Sequence, residues 1–238
     1  MRTGNSLIEA DVVLRHSSGM ELALCVAGAG IGFAFGSTAA GFQHLLYRNP
    51  EHRENPATGR KLLLMRLLLG LACAAIIALA LRPEQYDLGP ALLTAAFGVA
   101  LAIIASTDFE RRIIPNKLSY PAILAAILVC WAWPDRSIAD VLIGGGVALG
   151  LGALLFFVGL FIGGAGGALG LGDVKLACLI GLIVGWPLVT TALIFGVVLA
   201  GVPALVLMLA GKGKGYFSYG PYLVAGALIV MLWPARFL

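Results

Sequence analysis

Eight apolar runs, near 20–42, 62–81, 89–106, 118–133, 138–162, 174–186, 188–210 and 221–234, follow one another with only short polar connections between them. About 20 apolar residues in a row are what an α-helix needs to cross the hydrocarbon core of a bilayer. The pattern therefore predicts an all-α, polytopic integral membrane protein of about eight transmembrane helices. Composition points the same way: 60% of the 238 residues are hydrophobic and 12% are charged, against roughly 25% charge in an ordinary soluble domain. The sixth and eighth runs are short. The break between the sixth and seventh rests on Gly185-Trp186-Pro187, where proline removes a backbone donor and favours a turn.

The net charge of +4 does not imply a nucleic-acid partner, because the basic residues lie in small clusters between apolar runs, where they act as topology signals. The loops after the first, third, fifth and seventh runs hold nine Lys and Arg: Arg48, Arg53, Arg60, Lys61, Arg111, Arg112, Lys117, Lys212 and Lys214. The opposite side holds five, namely Arg2, Arg15, Arg82, Arg136 and Arg236. The positive-inside rule then places the odd loops in the cytoplasm and both termini outside. The first 19 residues are polar and mixed in charge, so no cleavable signal peptide is expected. Cys25, Cys73, Cys130 and Cys178 each stand alone inside an apolar run and read as small buried hydrophobes. The many glycines inside the runs read as helix-packing positions.

In such a chain an acid near a membrane boundary needs a reason, since a charge at the bilayer centre costs about 2.5 to 3.5 kcal/mol or more. Asp108 follows the third run in Ser106-Thr-Asp-Phe-Glu-Arg-Arg-Ile-Ile-Pro-Asn116, and Asp173 ends Gly170-Leu-Gly-Asp173 and opens the sixth. Both fall at the same leaflet. Two carboxyls held about 3 Å apart share one proton, so that one can act as base on a water and the other as acid, without metal or cofactor. Gly170 and Gly172 are expected to allow tight or positive-φ turns and close approach of a substrate backbone to Asp173. Simpler readings stand beside this one. Asp173 alone reads as a helix N-cap, Asp108 alone as a solvated interfacial acid, Lys175 as a snorkelling side chain, Glu110 as the partner of a neighbouring arginine, and Asp140 as a helix-start residue on the outer side.

Three blocks bring in a family. Asp108-Phe-Glu-Arg-Arg-Ile-Ile-Pro-Asn116, Gly170-Leu-Gly-Asp-Val-Lys-Leu176 and Tyr219-Gly-Pro-Tyr-Leu-Val-Ala-Gly226 resemble, in order, the first aspartate box, the G-x-G-D-V-K-L box and the F-G-P-F-L-A-x-G segment of the type IV prepilin peptidases. The resemblance covers roughly residues 89 to 234. It implies a membrane aspartyl endopeptidase of the bacterial inner membrane that removes the leader of type IV prepilins or pseudopilins at the cytoplasmic face, in service of pili or type II secretion. Asp108 and Asp173 would be its catalytic pair, with Gly170, Gly172 and Lys175 in the active-site loop and residues 83–238 as a six-helix core. Residues 1–82 would be a degenerate counterpart of the family's methylase region. The Gln43 to Lys61 loop carries no cysteine, so the family's zinc-binding feature is missing. S-adenosylmethionine is expected only if methylation is retained. Prepilin or pseudopilin and the lipid bilayer are the implied partners. Two rival readings are a presenilin-like protease, whose P-A-L element Pro203-Ala-Leu205 matches but reads here as packing, and a small proton- or cation-coupled transporter built on the glycine-rich break.

Overall fold

The computed structural model describes residues 3–47, 51, 57–82, 86–133, 136–163, 170–209 and 218–233. Arg2, Arg48, Arg53, Lys212, Lys214 and Arg236 of the charge count lie outside them. Among the described residues there are no strands and eight α-helices: α1 (Thr3–Phe42), α2 (Gly59–Ala80), α3 (Leu88–Arg111), α4 (Asn116–Leu128), α5 (Ile138–Gly163), α6 (Leu171–Val184), α7 (Leu188–Leu209) and α8 (Gly220–Leu232). A short 3₁₀ turn, Gln43–Leu46, closes α1.

Among the described residues, five stretches are long and apolar enough to cross a membrane: Leu22–Leu46, Gly59–Ala80, Leu88–Arg111, Ile138–Phe161 and Leu188–Val206. The eight expected runs thus appear as helices, but three of them lack the length of a full crossing. With 13, 14 and 13 residues, α4, α6 and α8 each reach only about 20 Å, short of a core about 30 Å thick. The break expected at Gly185-Trp186-Pro187 is where α6 stops, with Gly185 at φ 76°. That left-handed backbone suits glycine.

α6 is the axis of the molecule. It packs against α4, α5, α7 and α8, and Leu176, Leu179, Ile180 and Ile183 along it are fully buried, as expected of a helix apolar on all sides. α5 and α7 line the outside and expose Leu142, Leu154, Phe157, Ile194 and Val202. α1 and α2 form a hairpin that packs on α3 through Ala40, Leu69, Cys73 and Ile76 against Val99 and Ala102.

Close helix approach depends on glycines, as the sequence suggests. A Cβ on Gly181 would come within 2.3 Å of the Gly144 carbonyl oxygen where α5 meets α6, and one on Gly226 within 2.4 Å of the Ala192 carbonyl oxygen where α7 meets α8. At one end of the bundle two arginines hold carbonyls that the helix C-termini leave without partners. Arg82 Nε donates to Leu79 at 3.0 Å and its Nη2 to Leu232 at 3.0 Å, while Arg136 Nη1 donates to Ile183 and, at 3.0 Å, to Val184. The opposite end gathers the C-termini of α1 and α3 with the N-termini of α2, α4, α6 and α8. Both candidate aspartates lie there.

Candidate active site

Asp108 occupies the last turn of α3 and is only 5% exposed. A carboxyl buried so deeply needs donors, and they come from the start of α8. Ser218 Oγ donates to Asp108 Oδ2, and the Gly220 N–H donates to the same oxygen at 3.1 Å. A helix N-terminus presents free N–H groups and a partial positive charge to an anion, and Pro221 occupies a position there that requires no N–H. Gly220 has to be glycine, because a Cβ at this position would sit 2.5 Å from Asp108 Oδ2 and 3.0 Å from its Cγ. Asp108 is therefore not the solvated interfacial acid of the simpler reading.

Asp173 lies in the first turn of α6, ahead of the apolar stretch, and its Oδ2 accepts the Gly170 N–H at 3.0 Å. This is the carboxylate half of a capping box; glycine has no side chain to supply the other half. Asp173 is thus not the N-cap, which is Gly170, but caps the helix start from the third helical position, and this leaves room for more. Burial pushes the Asp173 carboxyl up to about 6, and the charge of Asp108 adds to the rise, with the Gly170 hydrogen bond opposing both. The two carboxyls, 65 positions apart in the sequence, are within electrostatic reach of each other.

The glycines of this loop act differently from expectation. Gly170 is extended, at φ −91° and ψ 159°, as the N-cap of α6, and Gly172 lies inside the helix. Among the described residues only Gly59 and Gly185 are glycines with positive φ. Gly172 instead makes room for a neighbour: a Cβ there would meet the Ile114 side chain at 3.3 Å, so its bareness seats the Ile113-Ile114-Pro115 connection against α6. The Gly167-Ala-Leu169 approach lies outside the described residues.

Lys175, two positions past Asp173, points elsewhere. Its Nζ donates to Asn116 Oδ1 and lies 5.2 Å from the centre of the Tyr120 ring, linking the starts of α6 and α4. Glu110 pairs with Arg111 at 3.3 Å, as expected, but it also accepts Gln43 Nε2 at 2.7 Å and Tyr47 Oη at 2.6 Å. Asp140 is the helix-start residue the sequence indicates: Ser137 and Asp140 form a complete capping box at the head of α5.

Sequence reasoning missed Ser218 and Gly220 as partners of Asp108. The available signal was the Ser218-Tyr-Gly-Pro221 order, a hydroxyl and a side-chain-free residue at a proline-marked helix start. It also missed Gln43 and Tyr47, which no local pattern ties to Glu110.

No curated protein and no solved structure gives a significant match to the chain. Residues 95–206 match the profile of the type IV leader peptidase family, a stretch that contains both aspartates and ends before the Ser218 and Gly220 donors. From α3 to the latter part of α7, the chain is similar to the type IV leader peptidase family.

Proposed function

We propose that the protein is an aspartyl endopeptidase that cuts prepilin or pseudopilin leaders, with Asp108 and Asp173 as its catalytic pair. The observation that carries this reading is the presence of two carboxyls, Asp108 buried and Asp173 half-buried, within electrostatic reach of each other at one end of the bundle, on helices inside the family match. In the proposed step an ionised Asp108 takes a proton from a water whose oxygen bonds to the scissile carbonyl carbon, while protonated Asp173 gives its proton to the carbonyl oxygen. Collapse of the gem-diol breaks the C–N bond. The amine leaves with the proton held by Asp108, and Asp173 regains one from the gem-diol, so both acids return to their starting state.

In this reading the aspartate end faces the cytoplasm of a bacterial inner membrane with both termini outside, and α4, α6 and α8 complete an eight-helix membrane body. Residues 83–238 form the peptidase core and residues 1–82 brace it. A four-thiolate zinc site does not fit this chain. Its cysteines are dispersed, with Cys25 and Cys73 in α1 and α2, Cys130 after α4 and Cys178 in α6. The reading uses no cofactor and no methyl transfer.

Co-expression with a candidate prepilin, followed by mass spectrometry of the mature N-terminus, tests it. The expected result is a leader cut just before the hydrophobic stretch, with no added methyl group. The cleavage rate should follow two apparent pKa values that belong to the pair. An uncut prepilin, or full cutting by the Asp108→Asn/Asp173→Asn double variant, would sink the reading.

A further inference from the structure

The side of α3 that faces away from the aspartate partners carries a second buried polar cluster. Ser106 and Glu110 are four residues apart and so share one helix face, while Asp108, two residues from each, points to the other side. Gln43, at the end of α1 and 3% exposed, touches both. Its Oε1 accepts Ser106 Oγ at 3.0 Å and its Nε2 donates to Glu110 Oε2 at 2.7 Å. Both ends of the amide are used, so the bridge tolerates only one orientation of the α3 turn.

Tyr47 donates to the same Glu110 oxygen at 2.6 Å, and Lys61 Nζ approaches Glu110 Oε1 at 3.7 Å from the start of α2. Burial and the Glu110 carboxylate hold the Tyr47 phenol far above its ordinary pKa, so it remains a donor. The Glu110 side chain is 3% exposed. Lys117 of α4 adds a bond to the Leu45 carbonyl at 2.9 Å. The α1–α2 hairpin, which lies outside the family match, is thereby fastened to Ser106 and Glu110, the residues that bracket Asp108, and to the start of α4.

We propose that Gln43 is a positioning residue: by bridging Ser106 and Glu110 it sets the rotation of the last turn of α3, and so the aim of Asp108 at the Ser218–Gly220 donors and at Asp173. The N-terminal hairpin is then an integral part of the active site. This rests on the proteolytic reading above. A small rotation is enough to matter, because a misplacement of about 1 Å at a reacting group can cost on the order of a hundredfold in rate.

The test is a donor–acceptor swap in the full-length protein, read as kcat and KM on a purified prepilin together with thermal midpoints. Gln43→Glu sets two carboxylates face to face and is expected to lower kcat at least about tenfold with KM unchanged. Adding Glu110→Gln restores an amide–carboxylate bridge with the roles exchanged, and kcat should return to within about threefold of wild type. Ser106→Ala, a mild change that keeps the fold, should lower kcat about two- to fivefold. Wild-type kcat in Gln43→Glu overturns the inference, as does a loss that the second substitution leaves unrescued. A fall in activity that only tracks the folded fraction, with kcat per folded molecule unchanged, also overturns it. A wild-type protein that cuts no prepilin fails earlier and removes the proteolytic reading together with this one, so the two failures are distinguishable.

Discussion

Replacing Asp173 by Asn should leave the protein inactive but more stable at neutral pH. The Asp173 carboxyl is pushed up to about 6 in the folded chain, whereas an unfolded aspartate titrates near 3.9. Below pH 4 both states hold the proton and the group contributes no difference. As pH rises from about 4 to about 6 the unfolded chain releases its proton first, so stability falls, and above 6 the loss is complete. A shift of about two units at 1.36 kcal/mol each sets a ceiling of about 3 kcal/mol, which corresponds to about 6 to 12 °C in midpoint for a chain of this size. Asparagine keeps an oxygen for the Gly170 N–H and carries no charge. Thermal melts in detergent, followed by tryptophan fluorescence, should therefore show the variant gaining on wild type from pH 4 to pH 7.5, with the whole gain between pH 4 and 6.5. A difference that is flat across that range would mean the carboxyl is solvated, and the burial argument would fail. In the same preparations the variant should cleave no leader.

Other substitutions separate the roles of neighbouring residues. Gly220→Ala forces a Cβ to 2.5 Å from Asp108 Oδ2; cleavage should fall by at least about a hundredfold and stability by about 1 to 3 kcal/mol, measured by prepilin cutting and thermal melts. Ser218→Ala removes one of two donors to Asp108 and should cost about tenfold in kcat, less than Asp108→Asn. Lys175→Ala breaks the link to Asn116 and Tyr120 without touching either acid, so kcat should stay within about threefold and stability within about 1 kcal/mol. Gly181→Ala crowds the Gly144 carbonyl and should lower the thermal midpoint by an amount equivalent to about 1 to 3 kcal/mol while leaving KM unchanged.

Much of the fold was legible along the chain. Each apolar run reports its own helix, since hydropathy is a property of consecutive residues, and the stop at Gly185-Trp186-Pro187 and the start at Ser137 with Asp140 use signals only a few residues long. Asp108 and Asp173 also stood out locally, as charges where charge is costly. Helix length was less legible. α4, α6 and α8 come from runs that look like spans, yet caps, 3₁₀ turns and glycine stops trim them to 13 or 14 residues. The arginines counted against the orientation include Arg82 and Arg136, which the fold uses to cap helix C-termini. Their location is a packing requirement as well as a topology signal.

By itself the sequence determined an all-helical membrane body, the order of its helices, and the two acids worth attention. Only the tertiary structure decided what those acids meet. Ser218 comes to Asp108 across 110 positions and Gln43 to Glu110 across 67, and no periodicity or motif encodes such distances. The reason is physical: a helix dictates which of its own residues share a face, but the group opposite that face is chosen by how neighbouring helices pack. Here that packing is set by glycines that let backbones touch and by buried polar groups that must find partners.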